Sequence, residues 1–89
     1  MKGTHLAQYQ ILYWKDIPAQ VRVYPDSGRP VSRQLPPRFQ EEIDARAMKE
    51  GLAGTDDYLQ HWKWSEKQQR DLPAAELLEV ILRELEANN

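Results

Sequence analysis

Two stretches of alternating apolar and polar residues, 8–14 and 20–24, stand close together early in the chain and commit it to a sheet. In the first, Tyr9, Ile11 and Tyr13 share one face of an extended segment whose aromatic and β-branched content suits a strand. In the second, Val21 and Val23 point inward. Between them Lys15, Asp16, Ile17 and Pro18 form a connection whose proline withholds a backbone donor. Pro25, Asp26, Ser27 and Gly28 are the residues of a tight turn, with Gly28 supplying a positive φ. Residues 31–35 then return as a third strand, and Pro30 confines that strand to an edge.

The pattern changes after Pro36 and Pro37. Pro37 or Arg38 can open a helix, since a missing donor in the first turn costs nothing. Phe39, Ile43 and Ala47 recur every four residues, with Glu41, Glu42, Asp44, Arg46 and Lys49 elsewhere on the surface. Acidic residues near the start and Lys49 near the end suit the helix dipole, and Gly51 takes a left-handed cap with Leu52 folding back on Ala47. Thr55 caps a short second helix whose first turn holds Asp56 and Asp57 and whose apolar edge is Tyr58, Leu59 and Trp62. From Trp62 the period becomes two, with Trp62 and Trp64 on one face and Lys63, Ser65 and Lys67 on the other, which predicts a fourth strand. Asp71 caps a last helix with Pro73 in its first turn and a buried stripe of Leu77, Leu78, Ile81 and Leu85.

The expected fold is α+β: a small antiparallel or mixed sheet of three to four strands, in the order β-β-(β)-α-α-β-α, with helices packed on one face. Eighty-nine residues suffice for a single domain over residues 1–89, with short flexible ends at 1–6 and 88–89. Its stability falls at roughly 4 to 13 kcal/mol, so three tryptophans and four tyrosines are mostly needed for the core.

Several function classes drop out on composition. The absence of cysteine removes disulfides, thiolate metal sites and thiol nucleophiles together. Twelve basic against fourteen acidic residues give a net charge of −2, so no global field draws the chain to nucleic acid or an acidic membrane. The longest apolar stretch, 11–14, is far shorter than the roughly 20 residues a membrane span takes, and the first residues show no secretory signal. A cytoplasmic location is the expectation.

The wording of the chain adds to its periodicity. Tyr9-Gln10-Ile11-Leu12-Tyr13-Trp14-Lys15-Asp16-Ile17-Pro18-Ala19-Gln20-Val21, then Leu35-Pro36-Pro37-Arg38-Phe39-Gln40, then Gly51-Leu52-Ala53-Gly54-Thr55-Asp56-Asp57-Tyr58-Leu59 resembles the small bacterial domain family labelled "virulence factor" over about residues 8–70. The resemblance implies a bacterial accessory domain that occurs alone or at the end of longer chains carrying helical repeats. It carries over no catalytic residues.

His5 and His61 are too few for a closed zinc site unless carboxylates join them, and Asp56 and Asp57 in a first helical turn answer to the dipole, so neither metal nor cofactor is expected. Gly51, Gly54 and Thr55 resemble a phosphate-binding turn only until the two aspartates that follow, which repel phosphate. Asp16, in a loop next to Ile17-Pro18, is a candidate general base, and with residues near Thr55 it makes the candidate site of a small-ligand binder or enzyme, although an Asp in such a connection more often fixes a turn. Arg22, Arg29, Arg33 and Arg38, with Tyr24, Lys63 and Lys67, make a candidate basic sheet face for single-stranded nucleic acid. Trp14, at a strand end beside Lys15 and Asp16, is the indole expected to be partly exposed. The leading expectation is a non-enzymatic interaction domain that meets a partner protein through Trp14, Lys15, Asp16, Arg22 and Tyr24.

Overall fold

The computed structural model describes residues 6–26 and 28–88. Its strands are β1 (Leu6–Trp14), β2 (Ile17–Tyr24), β3 (Val31–Gln34), β4 (Trp62–Trp64) and β5 (Gln68–Asp71). Its helices are α1 (Pro37–Lys49), α2 (Asp56–Gln60) and α3 (Ala74–Ala87). The strands form one antiparallel sheet in the order β3-β2-β1-β4, and β5 pairs with β1. The architecture is α+β, with the elements in the order their periodicities predict and one further strand, β5.

β1 organises the sheet because both of its edges are used. One edge pairs with β2 from Gln8 to Trp14. The other is shared, with Leu12 to Trp14 against β4 and Leu6 to Tyr9 against β5. Between those two partners the chain leaves the ladder, and Ser65 closes the gap. Its hydroxyl accepts from the Ile11 amide at 2.9 Å, its own amide donates to the Ile11 carbonyl at 2.8 Å, and its carbonyl accepts from Gln10 Nε2 at 2.9 Å.

The connection between β1 and β2 is shorter than its sequence suggests. β2 starts at Ile17, leaving a two-residue turn in which Lys15 takes a left-handed φ of 55°. A register shift between Leu12 and Tyr13 absorbs the irregularity. Pro18 is accommodated there because β3 pairs with β2 only from Gln20 onward and demands no amide from it.

The core has two parts. Ala7, Tyr9 and Ile11 of β1 and Val21 and Val23 of β2 are buried under Leu77, Leu78 and Ile81 of α3. Trp14, Ile17 and Leu35 are buried with Phe39, Ile43 and Ala47 of α1. Leu82 and Leu85 of α3 touch both groups and join them.

Helix ends explain where each helix stops. Gly51 has φ 73°, its amide donates to the Met48 carbonyl at 3.1 Å, and the Leu52 amide reaches the Ala47 carbonyl at 2.8 Å. That pair of bonds is a Schellman motif, which uses carbonyls the helix leaves unpaired. Thr55 caps α2 by accepting from the Tyr58 amide. Two capping expectations are corrected. α1 has no acidic residue in its first turn, since Glu41 and Glu42 fall one turn later. Asp71 is drawn into β5, so the N-cap of α3 is Pro73, with no side-chain cap hydrogen bond.

Of the ends expected to be flexible, Leu6 opens β1 and Asn88 caps α3, its amide donating to the Glu84 carbonyl at 3.2 Å. Residues 1–5, which include His5, and residues 27 and 89 lie outside the described residues.

Candidate interaction surface

Trp14 is not on the surface. It is 0 % exposed, against the expectation of partial exposure, because α1 and the α2 turn close over it. Its indole Nε1 donates to the Tyr58 carbonyl at 2.9 Å, and its ring meets those of Tyr58 at 5.6 Å and His61 at 5.7 Å between centroids. His61 is thereby placed edge-on to the indole, and its carbonyl accepts from the Lys15 amide at 3.2 Å. Both are structural contacts.

Lys15 and Asp16 sit on the turn that covers this indole and are tied to α1. The Lys15 ammonium pairs with Glu50, and Arg46 Nη1 reaches Asp16 Oδ1 at 3.2 Å. The bond from Lys15 holds the Glu50 carboxyl below its ordinary range. Thr55, the other half of the candidate ligand site, spends its hydroxyl on the Leu52 carbonyl at 2.6 Å while accepting from the Tyr58 amide. Both candidate groups already have structural partners.

Arg22 and Tyr24 lie elsewhere, on the sheet face opposite Val21 and Val23. The register sets Gln10 beside Arg22, Gln8 beside Tyr24, and Leu12 between Gln20 and Trp64. On this face Arg22 stacks over the Trp64 ring at 4.6 Å and Lys67 over the Tyr24 ring at 4.3 Å. The Arg22 Nε also donates to Ser32 Oγ at 3.2 Å, and the Tyr24 hydroxyl donates to Gln10 Oε1. Each pair fixes a cation and a ring side by side, so the face presents planar, partly exposed groups with little freedom left to lose on binding.

The five residues expected to form one patch therefore divide into a buried indole, a turn bonded to α1, and an open sheet face. The basic cluster divides too. Arg33 pairs across from Val21 and Lys63 across from Tyr13, which puts both on the side away from Arg22, and Arg38 stacks on Phe39 and donates to the Glu86 carbonyl at 3.0 Å. Lys67 joins Arg22 through its contact with Tyr24. Trp64, which the sequence assigned to a strand face without a role, is the indole that the surface exposes, at 37 %.

At one end the open face runs into a groove of about 420 Å³ against the start of α1, with Leu12, Leu35, Phe39 and Trp62 along it and Gln20 and Gln34 at its rim. Among the described residues no helix is long and apolar enough to cross a membrane, and no group of three or more His, Cys, Asp and Glu side chains is gathered to hold a metal. The remaining titration shifts belong to the fold. Arg70 makes two bonds to Glu84, at 2.7 and 2.9 Å, which raise the guanidinium above and lower the carboxyl below its ordinary range. Burial, helped by the nearby Tyr9, raises the Tyr13 hydroxyl.

Comparison with curated proteins finds no match, and comparison with solved structures finds none. The family model described as "Virulence factor" matches residues 12–88, from the end of β1 through α3, and the chain belongs to that family.

Proposed function

We propose that this is a non-enzymatic interaction domain of bacterial cytoplasm and that its open sheet face docks a partner protein. The observation that carries the reading is the pairing of Arg22 with Trp64 and of Lys67 with Tyr24 on one uncovered face. Tryptophan, tyrosine and arginine dominate the energetics of protein interfaces, and here they are held in place before any partner arrives. The glutamines beside them, Gln8 and Gln20, are partly exposed and offer hydrogen bonds at the rim of such a contact. The apolar groove beside Leu12 and Phe39 supplies a recess for one anchoring side chain.

A second reading has one observation in its favour: Lys67 and Arg22 stand beside aromatic rings on the same face, an arrangement that also suits single-stranded nucleic acid. The two are separated by capture of the tagged domain from a lysate of its source, with and without nuclease, using the native chain and a Trp64→Ala, Arg22→Ala variant. A protein retained after nuclease and lost from the variant supports the protein-docking face. Retention that vanishes with nuclease and weakens steeply with salt supports nucleic acid. Equal retention by both chains removes this face from either role.

A further inference from the structure

We propose a second docking site on this domain, independent of the open face: the free edge of β3, which accepts an extended acidic segment of a partner as an added strand. β3 ends the sheet order and, among the described residues, pairs only with β2. A strand in that position leaves a row of backbone donors and acceptors facing outward, which is the template that strand addition uses. All four of its residues are exposed, and Val31 remains 46 % exposed although valine is the kind of side chain a sheet edge normally covers.

What lies beside the edge makes it more than an unprotected rim. On the α3 side a groove of about 350 Å³ runs along β3, lined by Pro25, Val31, Arg33, Ala75, Leu78 and Glu79. Its lining is mainly apolar, and the first turns of α3 form its far wall. A strand added to β3 continues the alternation of the sheet, so every second residue of that strand faces this groove. On that side a small apolar side chain fits opposite Val31, against Ala75 and Leu78, and a carboxylate two residues along the same strand fits opposite Arg33.

Charge selects the occupant. Arg33 lines the groove and Arg29 precedes the strand, and neither has a carboxylate partner among the described residues. The one acid of the groove, Glu79, lies 4.0 Å from Arg83 on its own helix. The Arg33 guanidinium thus stands beside the edge without an ion pair among the described residues, and an acidic residue placed opposite complements it. A second copy of this chain is disfavoured by the same residues, because antiparallel pairing of β3 with itself brings the two Arg33 side chains toward one another.

The test uses the full chain, labelled with nitrogen-15, and a short capped peptide in which valine and glutamate take every second position in turn, with serine between them, so that both types fall on one face of a strand. The same peptide with lysine in place of glutamate serves as control. The expected result is amide shifts at Val31, Ser32, Arg33 and Gln34 and at Leu78, and weak or absent binding of the lysine peptide. Arg33→Glu, an exchange at an exposed position, is expected to weaken the acidic peptide about tenfold and to strengthen the lysine peptide. No shifts at these residues, equal binding of both peptides, or shifts at Gln20, Arg22 and Trp64 instead would overturn the proposal. So would self-association through β3 in sedimentation. Loss of the open-face reading leaves this result unaffected, because its variants change Arg22 and Trp64 only.

Discussion

The indole nitrogen of Trp14 and the backbone carbonyl of Tyr58 meet at 2.9 Å across 44 positions of sequence. Through that bond the end of β1 holds the end of α2, and the ring between them is fully enclosed. Replacing Trp14 with alanine removes the ring and empties its site, at a cost of about 3 to 5 kcal/mol. That is a large share of the stability a chain this size commands. Trp14→Phe keeps most of the packing and removes one bond to the Tyr58 carbonyl, which still accepts from the His61 amide at 3.4 Å, for about 0.5 to 1.5 kcal/mol. Urea unfolding followed by circular dichroism checks the ranking, and a Trp14→Ala chain as stable as the native one would remove the indole from the core.

Ser65 substitutes for a strand where β1 has none beside it. Its hydroxyl is the acceptor for the Ile11 amide at 2.9 Å. Ser65→Ala leaves that amide without a partner and costs about 1 to 3 kcal/mol, whereas an alanine exchange at an unbonded surface serine stays within about 0.5 kcal/mol. Hydrogen exchange supplies a local readout, with faster exchange expected at Ile11.

Gly51 tests backbone conformation without packing. A methyl group placed there meets nothing within 4 Å, yet φ is +73°. Gly51→Ala therefore costs about 1 to 2 kcal/mol from the left-handed geometry alone. Gly51→Asn is expected to cost less, since asparagine tolerates that region better. Thermal unfolding of the two variants gives the order.

Acid should loosen the fold through Glu50 and Glu84. Both carboxyls titrate below their ordinary 4.5 in the folded chain, held down by Lys15 and Arg70 respectively. A depressed folded value means that the stabilisation is complete above the unfolded value and is lost as pH falls through the folded one. Urea midpoints should drop below about pH 4.5, and Glu84→Gln should flatten part of that dependence. An unchanged pH profile in Glu84→Gln would show that the pair with Arg70 does not hold in solution.

Much of the fold is legible before any coordinates because its apolar spacing is regular. Tyr9 and Ile11, Val21 and Val23, Phe39, Ile43 and Ala47, and Leu77, Leu78 and Ile81 are all buried as their periods require. β5 is the opposite case. Gln68, Gln69, Arg70 and Asp71 show no apolar alternation, and they are a strand only because β1 offers an edge at the right register. Asp71 resembles a helix cap for the same reason that it fails as one: the residue type is right, but the backbone is already committed to β1.

The candidate surface was half legible. Arg22 and Tyr24 alternate against buried valines and so had to face out. Trp14 sits at a strand end, where local sequence favours exposure, and it is enclosed by α1 together with the fold-back of α2. Trp64 carries a sequence signal too, since its period-two relation to Trp62 and its neighbours Lys63 and Lys67 mark it as a strand residue next to charge. Pairing it with Arg22 requires knowing that β4 lies beside β1.

The double use of β1 sets the order in which this chain can acquire its shape. Tyr9 is bonded to Gln68, 59 positions away, so β1 is completed by residues near the opposite end of the chain. A ribosome releasing the chain from its N-terminus exposes one edge of β1 until β4 and β5 emerge. High contact order of this kind predicts slow folding, and it makes the interval of synthesis the period when a chaperone or an aggregating neighbour has access to that edge.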